Sequence, residues 1–311
     1  MWIQGSTLSI SQRSLLPEIP LSPRQARAHV LANQLIQSYA SRTCAQEALS
    51  FIDEFAPNRS VLEGESISIP IRSSTLTSLG IPAGFGVKGG AAREALIEGL
   101  SLRPPQHPRD IDLIRRGFHR TPADDVVAKA LMKRDFELGA RVELIRDLGA
   151  YLRSRDLSIN EVVAIDATVY TSLLCALDTI GHILRPSRYR SGTLHKPPSL
   201  LGTSLLKMAR LYAEGNVRGE SWSMMGIPEE VSFSEFDLAM HLNKAFQRGE
   251  LVADKFLQTL EVLSLLPATE HRVNYALLEL EHLRHGERGL FRDVPAERWG
   301  LVLKDKKPEH R

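Results

Sequence analysis

Val87-Lys88-Gly89-Gly90-Ala91-Ala92-Arg93-Glu94, followed downstream by Arg109-Asp110-Ile111-Asp112-Leu113, joins a glycine turn to a carboxylate-bearing strand. Side chains two apart on a strand share a face, so the spacing predicts that Asp110 and Asp112 converge while Ile111 and Leu113 enter a core. Two carboxylates aimed at one point repel each other, and a divalent cation such as Mg²⁺ relieves that repulsion. Gly89 and Gly90 carry no Cβ, so backbone there can approach a phosphate closely. The residues from Ala91 onward read as the first turns of a helix, whose open N–H groups favour an anion, and Arg93 falls in that first turn. Each pair alone has a plain alternative: Gly-Gly marks any tight turn, and Asp-x-Asp arises often without function. Together, in this order, they describe a way to hold a nucleoside triphosphate on a metal.

Outward from this core, Gly84 to Val87 reads as a short strand entering the turn, and Asp110 to Ile114 as a second strand. Ile67, Ile69 and Ile71 alternate as on a strand face. Helical periodicity is expected over 24–55, 91–99 and 123–136. A further strand is expected over 141–145 and another over Leu148 to Leu152, with a helix or turn from Ile159 to Val163 capped by Ser158. Beyond Pro197 the pattern is helical over 200–214, 233–248, 251–265 and 271–285. The organisation expected is α+β: an N-terminal helical extension over 1–65 with a loose lead-in, a head with a small mixed sheet over 66–190, an all-α neck and body over 191–303, and a charged tail over 304–311.

At 311 residues, 43% of them hydrophobic and 24% charged, the chain is long enough for one large or two modest cores. A net charge of +2 does not by itself imply nucleic acid. Its distribution is uneven, for Arg185, Arg188, Arg190, Lys196, Lys207, Arg210 and Arg218 face only Glu214 in the same stretch. That stretch reads either as a patch for phosphates or an RNA backbone, or as a solvated basic loop. Cys44 and Cys175 support neither a disulfide framework nor a zinc knuckle, and His282 with His285 lacks the further ligands zinc needs. No apolar run approaches a membrane span and no signal peptide is expected, so the setting expected is cytoplasmic.

These motifs resemble the head of class II CCA-adding enzymes and bacterial poly(A) polymerases, within the polymerase β nucleotidyltransferase superfamily. The family's Gly-Gly-Ala-Val-Arg-Asp helix start is similar to Gly89-Gly90-Ala91-Ala92-Arg93-Glu94, and Asp110-Ile111-Asp112 follows. Its Arg-Arg-Asp-Phe-Thr-Ile-Asn motif resembles Ser154-Arg155-Asp156-Leu157-Ser158-Ile159-Asn160, and Asp178 to Arg185 is similar to a glycine-containing segment beyond it. The resemblance implies that Asp110 and Asp112 hold Mg²⁺, that Gly89, Gly90 and Arg93 hold the triphosphate, and that Arg155, Asp156 and Asn160 shape the nucleotide pocket. Glu143 falls where a third catalytic acid often stands; the alternative is an exposed strand carboxylate. For Arg155 and Asp156 the alternative is a salt bridge fixing a turn.

The chain departs from the family at Ser154, which replaces an arginine, and over Leu200-Leu201-Gly202-Thr203-Ser204, which lacks the Glu-Asp-x-x-Arg element that reads the base. The activity implied is transfer of a nucleoside monophosphate from a triphosphate to an acceptor hydroxyl, with an RNA 3′ end of tRNA type as the leading acceptor. The alternatives are a diverged transferase acting on another acceptor, as toxin-type or small-molecule-modifying members do, and a non-catalytic homologue that binds RNA or protein.

Overall fold

Ile67 and Ile69 are fully buried while Pro70 is exposed, as their alternation requires of a strand with one covered face. The structure is a computed structural model and describes residues 8–9, 14–17, 19–37, 42–63, 65–72, 79–106, 108, 110–132, 137–138, 142–187, 198–227 and 230–265. The helix expected over 271–285 and the charged tail lie outside the described residues. Helices and mixed sheets alternate along the chain, an α+β arrangement. Contacts divide it into two compact units, Pro20–Leu194 and Met1–Ile19 with His195–Arg311.

The first unit is built on one sheet and also holds helix α4 (Pro122–Met132) and the short strand β11 (Ile183–Leu184). The sheet's strands are β3 (Ser60–Val61), β4 (Ser66–Pro70), β5 (Phe85–Lys88), β6 (Asp110–Arg116), β7 (Glu137–Leu138), β8 (Glu143–Ile145), β9 (Val162–Ile165) and β10 (Thr168–Ser172). Their order is β3-β4-β10-β9-β5-β6-β7, with β8 also paired to β6. Neighbours run antiparallel except at β6, where β7 and β8 both lie parallel to it. Helix α3 (Gly89–Gly99) covers one face with Ala91, Ala92, Ala95 and Leu96, all buried. Three alanines on that stripe let the helix lie close to the strands. On the other face Tyr151 and Leu152 of helix α5 (Leu148–Arg153) pack with Ile114, Ile145, Val163 and Ile165.

Helices α1 (Pro23–Gln37) and α2 (Arg42–Asp53), read from sequence as a separate extension, pack on helix α6 (Leu173–Gly181) inside this same unit. His29 Nε2 of α1 donates to the Gly181 carbonyl over 3.0 Å. Leu148 to Leu152, expected as a strand, is helical in α5, and Val162 and Val163, expected to close a helix or turn from Ile159, instead begin the central strand Val162–Ile165, entered through a single 3₁₀ turn at Ser158–Asn160.

In the second unit helices α7 (Pro198–Val217), α8 (Glu235–Phe246) and α9 (Glu250–Val262) pack on one another around Leu206, Leu242, Phe256 and Leu260. It is not purely helical. Strand β1 (Leu8–Ser9) pairs with β13 (Glu230–Val231), and β2 (Ser14–Leu15) with β12 (Ser223–Met225), so part of the expected lead-in is paired strand. No helix among the described residues is long and apolar enough to cross a membrane.

Gly86 sits at a close approach of two strands in the first sheet. A Cβ built there would meet the Ala164 carbonyl oxygen and Ile165 Cγ1 well inside van der Waals contact, because β5 and β9 pass tightly at that register. Gly86→Ala is therefore expected to cost about 1–3 kcal/mol by forcing those strands apart. Denaturant unfolding with an unchanged m value would measure it, and a loss under about 0.5 kcal/mol would contradict the tight register.

Candidate active site

Strand β5 ends at Lys88, which is in register with Asp112 of β6 on one side and Val163 of β9 on the other. Paired residues share a face, so Lys88 and Asp112 stand on the face opposite α3. Gly89 then turns the chain with φ +62°, a left-handed conformation that glycine adopts without penalty. A Cβ on Gly89 would lie 3.0 Å from Asp112 Oδ2. The glycine turn and the strand carboxylate, separated in sequence by the rest of helix α3 and a loop, therefore abut. The helix begins directly at Gly89, two residues before the expected start, so Gly89 and Gly90 belong to its open first turn.

Asp110 opens β6 and is in backbone register with Glu137 of β7; its side chain lies outside the described residues. Among the described residues no three acids, imidazoles or thiolates converge as a metal cluster.

Glu143 lies on β8, in register with Ile114, and so faces the same side as Asp112 one pair further along. Three groups hold it. Lys88 Nζ donates to Oε2, the Tyr151 hydroxyl donates to Oε2 over 3.3 Å, and Arg155 Nη2 stands 3.8 Å from Oε1. Arg155 Nη1 also donates to the Tyr151 hydroxyl over 3.0 Å, and its guanidinium lies 3.9 Å from that ring's centroid. Burial pushes the Tyr151 hydroxyl far above its usual range; Arg155 opposes this, while the charges of Glu143 and Asp112 add to it. Tyr151 thus stays protonated and remains a donor.

A second chain of contacts ties the two expected motifs together. Arg93 Nη1 donates to Asn160 Oδ1 over 2.5 Å, and Asn160 Nδ2 donates to Asp156 Oδ1 over 2.7 Å. Asn160 is buried, so the amide is fixed by these bonds, and Arg93 is aimed by a residue of the 3₁₀ turn. Arg155 and Asp156 do not pair with one another in any bond the structure shows; each serves one of the two networks. Glu94 closes the long loop before β6, accepting a two-pronged bond from Arg103 over 2.8 and 2.9 Å and the Gln106 N–H over 2.7 Å.

Lys88 and Tyr151 are the members that sequence reasoning missed. Lys88 carried a usable signal: it immediately precedes the glycine pair, at the end of a strand. Tyr151 carried none, because only the packing of α5 brings it to Glu143. The basic stretch from Arg185 to Arg218 is neither a phosphate patch nor a solvated loop at two of its cations. Arg185 and Arg210 are each 5% exposed, the first paired with Asp178 and the second with Glu214. Arg188, Arg190 and Lys196 lie outside the described residues, Arg218 is exposed and Lys207 half-buried.

The chain matches no protein-family model and no curated protein sequence.

Proposed function

We propose that this chain is a metal-dependent nucleotidyltransferase that moves a nucleoside monophosphate from a triphosphate onto an acceptor hydroxyl, with an RNA 3′ end as the acceptor and the cytoplasm as the setting. The observation that carries the reading is the abutment of the Gly89 turn on the Asp112 carboxylate. The space beside Gly89 is free of a Cβ and is faced by a hard carboxylate oxygen, which fits a magnesium-bound phosphate. Asp112, with Asp110 beside it on β6, would hold Mg²⁺. When bound, the ion lowers the pKa of an attacking hydroxyl and neutralises a leaving pyrophosphate.

The remaining work falls to the chain itself. The open N–H groups of Gly89 and Gly90 receive triphosphate oxygens at the positive end of α3. Arg93, held by Asn160, supplies a charge-assisted donor to the same phosphates. Lys88 and Arg155 bring positive charge to the face that bears Asp112, and Glu143 holds both of them in place. Glu143 is thus assigned as a positioning residue, not a third metal ligand. Such fixed charges stabilise a transferring phosphoryl group mainly by position.

That assignment has a direct test. Glu143→Gln is expected to raise KM for the triphosphate about fivefold and leave kcat within about twofold, since it loosens Lys88 and Arg155 without removing a reacting group. A kcat loss of about a hundredfold with unchanged KM would instead make Glu143 a metal-binding or catalytic acid. Stability should change by less than about 1 kcal/mol, because the cluster is partly exposed.

The occupation of Glu143 by two donors and the nearby Arg155 also favours a second reading, in which this face is a closed ion-pair cluster and the chain binds RNA or protein without catalysis. Incubation with each labelled triphosphate, Mg²⁺ and total RNA separates the readings. Label on RNA supports the proposal as stated. Label on a small molecule or protein keeps the reaction and changes the acceptor. No label anywhere supports the non-catalytic reading.

A further inference from the structure

The sheet face that carries Asp112 continues into a second concavity. Leu62, Arg116, Ile145, Arg146, Leu148 and Tyr170 line an open groove of about 360 Å³. Arg116 lies four residues beyond Asp112 on β6, hence on the same face and about 13 Å along the strand. Its register partner is Ile145, and Arg146 follows at the strand end. The Arg116 guanidinium lies 4.6 Å from the centroid of the Tyr170 ring.

The charge in this groove is one-sided. No acid is among its lining residues, and neither Arg116 nor Arg146 makes an ion pair among the described residues. Both are exposed. Arg115, their neighbour, shows the contrast: its guanidinium forks onto Asp124 over 2.6 and 2.9 Å. The floor is apolar, formed by Ile145 and Leu148 of the cluster beneath α5. Two of the large apolar side chains left exposed, Val61 at 59% and Phe118 at 67%, lie one residue from Leu62 and two from Arg116 in the chain.

Two guanidiniums without ion-pair partners among the described residues, an aromatic ring and an apolar floor suit one kind of ligand well. An unstacked nucleotide offers a π-face for the ring and guanidinium and a phosphate for the second cation. An acidic peptide would use the charge but leave the ring and floor without a partner. We propose that the groove bounded by Arg116, Arg146 and Tyr170 binds the single-stranded end of an RNA, seating one nucleotide a short distance along β6 from Asp112. As a place for the acceptor this rests on the nucleotidyl-transfer reading; as an RNA site it does not.

The test uses the full chain and a fluorescein-labelled single-stranded oligoribonucleotide of about 12 nucleotides, followed by anisotropy across a salt series. Arg116→Ala and Arg146→Ala are each expected to weaken binding about fivefold and to reduce the salt slope by about one. Tyr170→Leu is expected to weaken it about tenfold while leaving the salt slope unchanged, since it removes stacking and no charge. Thermal unfolding of each variant controls for loss of the fold.

Parent-like RNA binding by the Arg116→Ala, Arg146→Ala double variant would overturn the inference. So would equal affinity for a poly-glutamate peptide, which would make the groove a general anion surface. A chain that transfers label to a small acceptor yet binds no oligonucleotide loses this inference and keeps the transferase reading. A chain that binds RNA through these residues but transfers nothing keeps this inference and loses the transferase reading.

Discussion

Asp112→Asn is expected to reduce nucleotidyl transfer about a thousandfold or more while leaving the fold intact. The substitution keeps the side chain's shape beside Gly89 and removes only its charge. A neutral amide is a poor ligand for Mg²⁺ and does not complete a site with Asp110, so the electrostatic stabilisation of the transferring phosphoryl group is lost. Asp112 is only partly buried, which limits the structural cost of the change. Single-turnover incorporation of label from the preferred triphosphate measures the effect, with thermal unfolding as the control. Asp110→Ala should behave alike. Transfer surviving either substitution would refute the assigned site.

Asp178→Ala is expected to destabilise the first unit by about 3–5 kcal/mol, the largest loss of stability among the changes considered. Asp178 is fully buried on α6; its Oδ2 lies 3.0 Å from Arg185 Nε and accepts the Ser158 hydroxyl over 2.5 Å. Arg185 Nη1 in turn donates to Asn33 Oδ1 of α1 over 3.1 Å. Removing the carboxylate leaves a guanidinium buried without its counter-charge, which costs more than the pair itself contributes. The Asp178→Ala, Arg185→Met double variant should recover at least half of the loss, because the guanidinium is then no longer buried opposite a missing carboxylate. Urea unfolding of the two variants decides it; a double variant no more stable than Asp178→Ala would show that the ion pair is not the cause.

The same carboxylate gives the stability a pH dependence. Burial raises its pKa from 3.8 to about 6, against the pull of Arg185 and Ser158, and its Oδ1 has no hydrogen-bond partner among the described residues. The folded state therefore binds more protons than the unfolded chain between those values, and this contribution to stability is present below about pH 4 and lost as pH rises through 6. The change is on the order of 3 kcal/mol, and Asp178→Asn should flatten it.

Much of the site's frame was legible from local pattern. The alternation of Ile67 and Ile69, the short strand leading into the glycine turn, the glycine-led helix and the strand carrying Asp110 and Asp112 all depend on periodicity within a few residues. The central strand Val162–Ile165 was read otherwise because it is buried on both faces, so its side chains show no alternation. The pairing of Leu8–Ser9 with Glu230–Val231 was not legible at all, since two-residue strands carry no period and their partners are remote in sequence. At Arg185 and Arg210 the basic stretch departs from both of its readings for a related reason. A count of charges does not show which of them are buried against an acid.

The amino-acid sequence by itself determined which chemical groups this protein has to offer and which of them lie on one strand or one turn, because backbone geometry sets those relations over a few residues. Only the tertiary structure decided that Gly89 abuts Asp112, that Asn160 aims Arg93, and that Glu143 holds Lys88, Tyr151 and Arg155. Those contacts follow from strand register and from the packing of α5 on the sheet, which arise from burial summed over the whole unit and not from any single segment.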